Sequence, residues 1–194
     1  MAISYPLTLP SHTGVRSIEL RAINAVAYSA SPFTFAGQAH AYSGQIWLAD
    51  ITLPAMRIAD AETWLGFLLS LKGQYGTFLL GNPTCTAPRG TATSATVSGS
   101  AGSGSVSVTM SGTLLAGDYI QLGSGSDATL HKVLQDQSGS GTLEIWPSLR
   151  KARSSVSATL TNAKGLFRLS SNEQAWSVTE ASTYGITFSA REAI

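Results

Sequence analysis

Cysteine is almost missing from this sequence. Cys85 stands alone among 194 residues, which excludes an internal disulfide and leaves any zinc site dependent on a small pool of His and carboxylates. Charge is scarce too: 12 Lys and Arg face 11 Asp and Glu, 12% of the chain against about 25% in an average domain. A net charge of +1 supplies no field that would hold a polyanion, which argues against a dedicated nucleic-acid binder. No apolar run approaches the roughly 18 residues that span a bilayer, since the longest, residues 64–71, is interrupted by Gly66 and Ser70. Residues 1–10 lack the basic start and apolar run of a signal peptide, so the expectation is a chain made in a cytoplasm and kept soluble there. Hydroxyls and glycine take the place of charge, with 27 Ser, 20 Thr and 19 Gly. With little electrostatic repulsion between copies, self-association is expected.

The length suits one large or two small domains. Over residues 16–28, Ile18, Leu20 and Ala22 alternate with Ser17, Glu19 and Arg21, a half-buried strand whose phase blurs at Ile23-Asn24, as a bulge would cause. A second strand over residues 42–53 puts Trp47, Ala49, Ile51 and Leu53 on one face. One amphipathic helix follows over residues 58–72, with Ala61, Trp64, Leu65, Leu68 and Leu71 as its apolar stripe. Asp60 and Glu62 stand in its first turn, Lys72 in its last, and Gly73 suits the left-handed position after its end. A strand at residues 77–80 closes this section. From Cys85 the texture changes: between Gly90 and Leu130 the only charged residues are Asp118 and Asp127. Residues 91–105 read as a flexible linker. Five short strands then recur, at 106–110, 119–122, 130–135, 142–146 and 156–161, the signature of a small closed or nearly closed barrel. Denser strands return at 165–169, 175–179 and 184–188. The expected organisation is therefore mainly β with one helix: an outer domain of residues 1–84 and 164–194, interrupted by an inserted barrel of residues 85–163. The rival is two sequential domains with a boundary near residue 90.

Chemistry is hard to find. The glycine-rich stretches 99–105 and 123–125 lack the Lys-Ser/Thr ending of a phosphate loop and the strand-helix setting of a dinucleotide site. His12, His40 and His131 are scattered without metal-ligand spacing, Cys85 reads as a half-buried inert thiol, and no Gly-x-Ser-x-Gly elbow exists. Asp60 and Glu62 point about 200° apart around the helix, so they read as a solvated helix start rather than an acid pair. Asp118 reads as closing a turn before a strand. Arg150, Lys151 and Arg153 form the one basic cluster, read as an exposed barrel loop rather than a phosphate contact. Trp64, Trp146 and Trp176 read as core or rim, and Trp47 as the aromatic most suited to an interface, though core packing is the stronger reading for it too. No catalytic, cofactor-binding or metal-ligating residue is nominated.

The segments 42–47 through 53–56 (YSGQIW…LPAM), 59–73 (ADAETWLGFLLSLKG) and 75–81 (YGTFLLG) resemble the distal tail protein family, tail-tip proteins of long-tailed, siphovirus-type bacteriophages and prophages. Members open much as YPLTLP does here at residues 5–10. The stretches 116–122, 131–134 and 145–150 look like the small OB-like barrel that accompanies the family's ring domain, and 165–169 with 174–178 look like the return to that domain. The resemblance implies a β-sandwich ring (belt-like) domain with an inserted barrel, and a virion protein without enzymatic activity or cofactor. It implies a ring, usually of six copies, joining the tail tube to the hub or fibre assembly at the distal end of the tail. DNA would cross the lumen only transiently, and no membrane is bound directly. The alternative is a receptor- or glycan-binding module in which Trp47, Trp146 or Tyr119 stacks on a sugar.

Overall fold

The computed structural model describes residues 3–11, 14–180 and 182–194. Among the described residues the chain is mainly β with one α-helix, and its strands form a mixed sheet, a closed antiparallel barrel and a separate two-stranded pair. β1 (Leu7–Thr8), β2 (Ser17–Ala30) and β3 (Gly37–Thr52) precede α1 (Ile58–Ser70) and β4 (Phe78–Leu80). The next eight strands are β5 (Ala95–Gly99), β6 (Ser105–Met110), β7 (Thr113–Leu114), β8 (Tyr119–Leu122), β9 (Thr129–Val133), β10 (Gln137–Ser138), β11 (Gly141–Trp146) and β12 (Arg153–Thr159). β13 (Gly165–Leu169), β14 (Trp176–Val178) and β15 (Tyr184–Glu192) end the chain. Among the described residues, no helix is long and apolar enough to cross a membrane.

The sheet runs β1-β4-β13-β15-β3-β2, with β14 paired to β15. The last three strands thus join the sheet of the first four and do not extend the barrel, as sequential domains would require. Alternation decides which face is buried: Trp47, Ala49, Ile51 and Leu53 of β3 and its continuation point inward, with Ile186, Phe188 and Ala190 of β15. The predicted stripe of α1 covers them, Trp64 meeting Phe188 at 6.2 Å between ring centroids and Phe67 meeting Phe78 edge-on at 5.7 Å. The barrel wall adds to the cover through Tyr119 and Leu130. The expected sandwich is therefore one sheet whose second layer is a helix and a barrel flank. The helix stops at Ser70, short of Lys72, because Lys72 and Gly73 both take the left-handed conformation (φ +52° and +66°).

The barrel closes in the order β11-β6-β5-β12-β8-β9, and its interior is a second apolar cluster that includes Val97, Val108, Ile120, Leu122, Val133 and Leu143. β5 overturns the linker reading of residues 91–105. Ala95 and Val97 are buried in the wall, and even the glycine-rich turn between β5 and β6 is bonded to the barrel, the Gly102 amide donating to the Leu149 carbonyl at 2.7 Å. Asp118 does more than close a turn. Its buried carboxylate accepts backbone N–H groups of Arg89, Gly90 and Leu115 and the Arg89 side chain, fastening the entry of the barrel to the approach to β8. Burial pushes its pKa up, but those donors outweigh burial and hold it below the ordinary carboxylate value.

The two cores are tied at one junction. The Trp47 indole N–H donates to the Leu130 carbonyl (3.0 Å), and the ring stands edge-on to Trp146 (4.5 Å). The buried Glu192 carboxylate accepts the Trp47 amide N–H and the Arg150 guanidinium (2.7 Å), which also donates to the Gln45 carbonyl. Replacing Glu192 by Ala leaves the Trp47 amide without this acceptor and the Arg150 charge without its counter-charge, so we expect chemical denaturation to show a loss of roughly 3 kcal/mol. His131, fully buried in β9, bonds the Pro147 carbonyl at 2.7 Å, which only an Nδ1–H can do, leaving Nε2 to accept from the Thr129 hydroxyl (2.9 Å). Burial, reinforced by the nearby Arg150 and Arg153 and opposed by the Pro147 bond, lowers its pKa from 6.5 to about 4. The unfolded chain therefore binds the extra proton between those values. Stability from His131 is complete above pH 6.5 and falls as pH drops toward 4, by on the order of 3 kcal/mol. Thermal melts across that window should lose Tm, with a flatter dependence in His131→Gln.

Candidate functional site

The residues singled out for chemistry do not converge. His40 lies on β3, His131 inside the barrel, and Cys85 in the connection after β4, half-buried against the main core; His12 lies outside the described residues. Among the described residues, no three His, Cys, Asp or Glu side chains gather into a metal-holding group. Asp60 and Glu62 stand at the start of α1. The basic cluster is engaged within the chain: Arg150 pairs with Glu192, while Arg153 and Lys151 both pair with Asp127 and hold its carboxyl below the usual range. Trp47 is a core residue of the junction. Tyr119 is buried beside it, and Trp146 donates its indole N–H to Asn24 Oδ1 (2.6 Å). The three aromatics offered for sugar stacking are thus occupied with one another and with their own chain.

What stands out lies where chemistry was not sought. β2 and β3 pair from Ser17↔Thr52 to Ala30↔Gly37, but only the lower part of this hairpin belongs to the covered sheet. Beyond Trp47 the cover ends, and from residue 21 to residue 44 every side chain except that of Ser31 is exposed. The register slips between Asn24 and Val26, near the bulge that the blurred phase implied. The strands then continue as a free two-stranded ribbon. One face carries Val26, Tyr28 and Ala30 opposite Ala41, Ala39 and Gly37, and the other carries Ala27 and Ser29 opposite His40 and Gln38. The Tyr28 ring lies so close over Gly37 that a Cβ there would sit 2.4 Å from the Tyr28 oxygen, which leaves glycine the only residue that fits without displacing the ring.

The tip is built, not loose. The Ser31 amide donates to the Ala36 carbonyl and the Phe35 amide to the Ser31 carbonyl, both at 2.9 Å. The Ser31 hydroxyl accepts the amides of Phe33 and Thr34, and Phe35 takes a left-handed φ of +56°. These bonds hold two phenyl rings outward, Phe33 at 92% and Phe35 at 83% exposure, with Tyr28 at 69% below them. Preorganised aromatics of this kind are what interface hot spots are made from.

The sequence held a signal for this arm that periodicity does not capture. From Ala22 to Ala49 there is no Asp, Glu, Lys or Arg, although β2 is an edge strand. Edge strands open to water ordinarily carry charge or proline to block pairing with other chains. This one carries apolar side chains instead, on a two-stranded ribbon that is marginal in water by itself. Such a surface is made to be covered.

If the tip is a contact between copies, Phe33→Ser and Phe35→Ser each weaken that contact by about 2 kcal/mol, roughly 30-fold in Kd, by analytical ultracentrifugation. The unfolding free energy of the dissociated chain should stay within about 0.5 kcal/mol of the parent, because neither ring packs on its own molecule.

Compared with known proteins, the chain matches no family model and no curated protein.

Proposed function

We propose that this chain is a structural subunit that works by assembling with copies of itself, as a ring at the tail tip of a long-tailed bacteriophage. In this reading it joins the tail tube to the hub or fibre assembly, DNA crosses the lumen only during infection, and the protein resides at the distal end of the virion tail. One observation carries the assembly half: a charge-free β-ribbon, exposed on both faces and ending in two outward phenyl rings, projects from a sheet whose inner face is covered. The tail-tip half is supported by the family-like segments at residues 42–56, 59–81 and 165–178, which fall on β3, α1, β4, β13 and β14. Six copies is the number that resemblance brings.

The low charge of the whole chain is consistent with this. Copies approach without appreciable repulsion, and contacts between them rest on apolar area and backbone pairing rather than ion pairs. Such contacts are insensitive to salt, since screening acts only on charges.

Purified protein imaged by negative stain at micromolar concentration should show closed rings, and sedimentation should give the same oligomer at 0.1 and 1 M salt. Pull-down with purified tube and hub proteins should retain the ring. A monomer at every concentration, binding neither, would rule the reading out.

A further inference from the structure

The ribbon tip and its receiving surface can be located on the same chain. A groove runs along the outer face of the sheet between β15 and the segment leading into β14. It has two lobes of about 330 and 470 Å³, joined through Thr52, Ala175 and Thr187. Trp176, 44% exposed, lines the larger lobe with Ala55, Ala175 and Gly185, and the Thr52, Ser177 and Thr187 hydroxyls add to its uncharged lining. The charged groups of the groove are few: Asp50 is already bound by Arg21 and by the Ser189 hydroxyl, and Arg16 and Glu173 complete the set. An apolar cavity of about 150 Å³ suffices for benzene, so each lobe has room for a phenyl ring.

Position then says whose ring it is. The groove lies where β3 ends, at Asp50 to Thr52, and the tip lies where β3 begins, at Gly37. Sixteen residues of extended strand separate them, roughly 50 Å. Phe33 and Phe35 are almost fully exposed, so the ribbon does not curl back onto its own sheet. Surfaces at opposite ends of one strand can meet only between different molecules, and such a contact is head-to-tail. A head-to-tail contact uses different patches on the two partners and propagates until it closes into a ring or continues as a filament.

We infer that Phe33 and Phe35 of one copy seat in the groove beside Ala175 and Trp176 of the next. This rests on the self-assembly reading above and names the partner and the seat of the same arm. The test uses the full chain with Cys85→Ser as background. Thr34→Cys places a thiol between the two phenyl rings without removing either, and Ala175→Cys places one where the lobes join. Under mild oxidation the double variant should give a non-reducing ladder of covalent dimers, trimers and higher species, while either single cysteine gives none beyond background. Independently, Ala175→Arg should weaken association at least tenfold with an unchanged monomer Tm. If Phe33→Ser dissociates the oligomer but the double variant forms no ladder, the groove is the wrong seat and the arm remains the assembly element. Efficient dimers from Thr34→Cys alone would mean tip-to-tip pairing and would equally overturn the groove. A chain that never associates overturns both readings.

Discussion

Strand β3 is one hydrogen-bonded backbone passing through two environments, and the change between them governs the molecule. From Trp47 onward its inward side chains lie beneath α1 and the barrel wall. Over residues 37–44 the side chains are exposed, and the ladder to β2 continues regardless. Backbone pairing between two strands satisfies the amides and carbonyls along one edge of each strand, but buries neither face. The sheet is therefore completed within the chain on one side of Trp47 and left incomplete on the other.

The junction at that point fixes where the ribbon departs. Trp47 is clamped by Leu130 and Glu192, Glu192 by Arg150, and Gln45 accepts from Arg150 and from the Ser148 amide. Trp146 reaches Asn24 on the facing strand. The barrel thus braces the base of the arm from one side through several directional bonds, and its contribution to function on this account is to aim the ribbon. Two separate apolar clusters, one in the sheet and one in the barrel, let each part hold its shape while these polar links set their mutual orientation. Buried charge at the junction adds little net stability by itself, but a broken partner there is costly, which makes the angle specific.

Much of this was legible in the sequence where side-chain period and punctuation agree. The stripe Ala61, Trp64, Leu65, Leu68 and Leu71 is buried as read, as is the alternation through Trp47 to Leu53, and five of the six barrel strands fall near their expected places. β5 was missed because Ser, Thr and Gly dominate its surroundings and only Ala95 and Val97 point inward, too few for period two to register. The first five residues of β3 were missed for the opposite reason. With both faces exposed, no alternation is required of residues 37–41, so hydrophobic patterning is silent about a strand that pairing alone defines. Its absence of charge was visible throughout. The junction roles of Glu192 and Arg150 lie 42 residues apart in sequence and no local pattern joins them.

Amide hydrogen exchange in the ribbon, followed as protein concentration is raised, tests the central claim most directly. The amides of residues 26–30 and 37–41 should exchange rapidly in dilute monomer and become protected as association proceeds, while those of β13 and β15 stay protected at all concentrations. Ribbon exchange that remains rapid and independent of concentration while the oligomer forms would contradict the account.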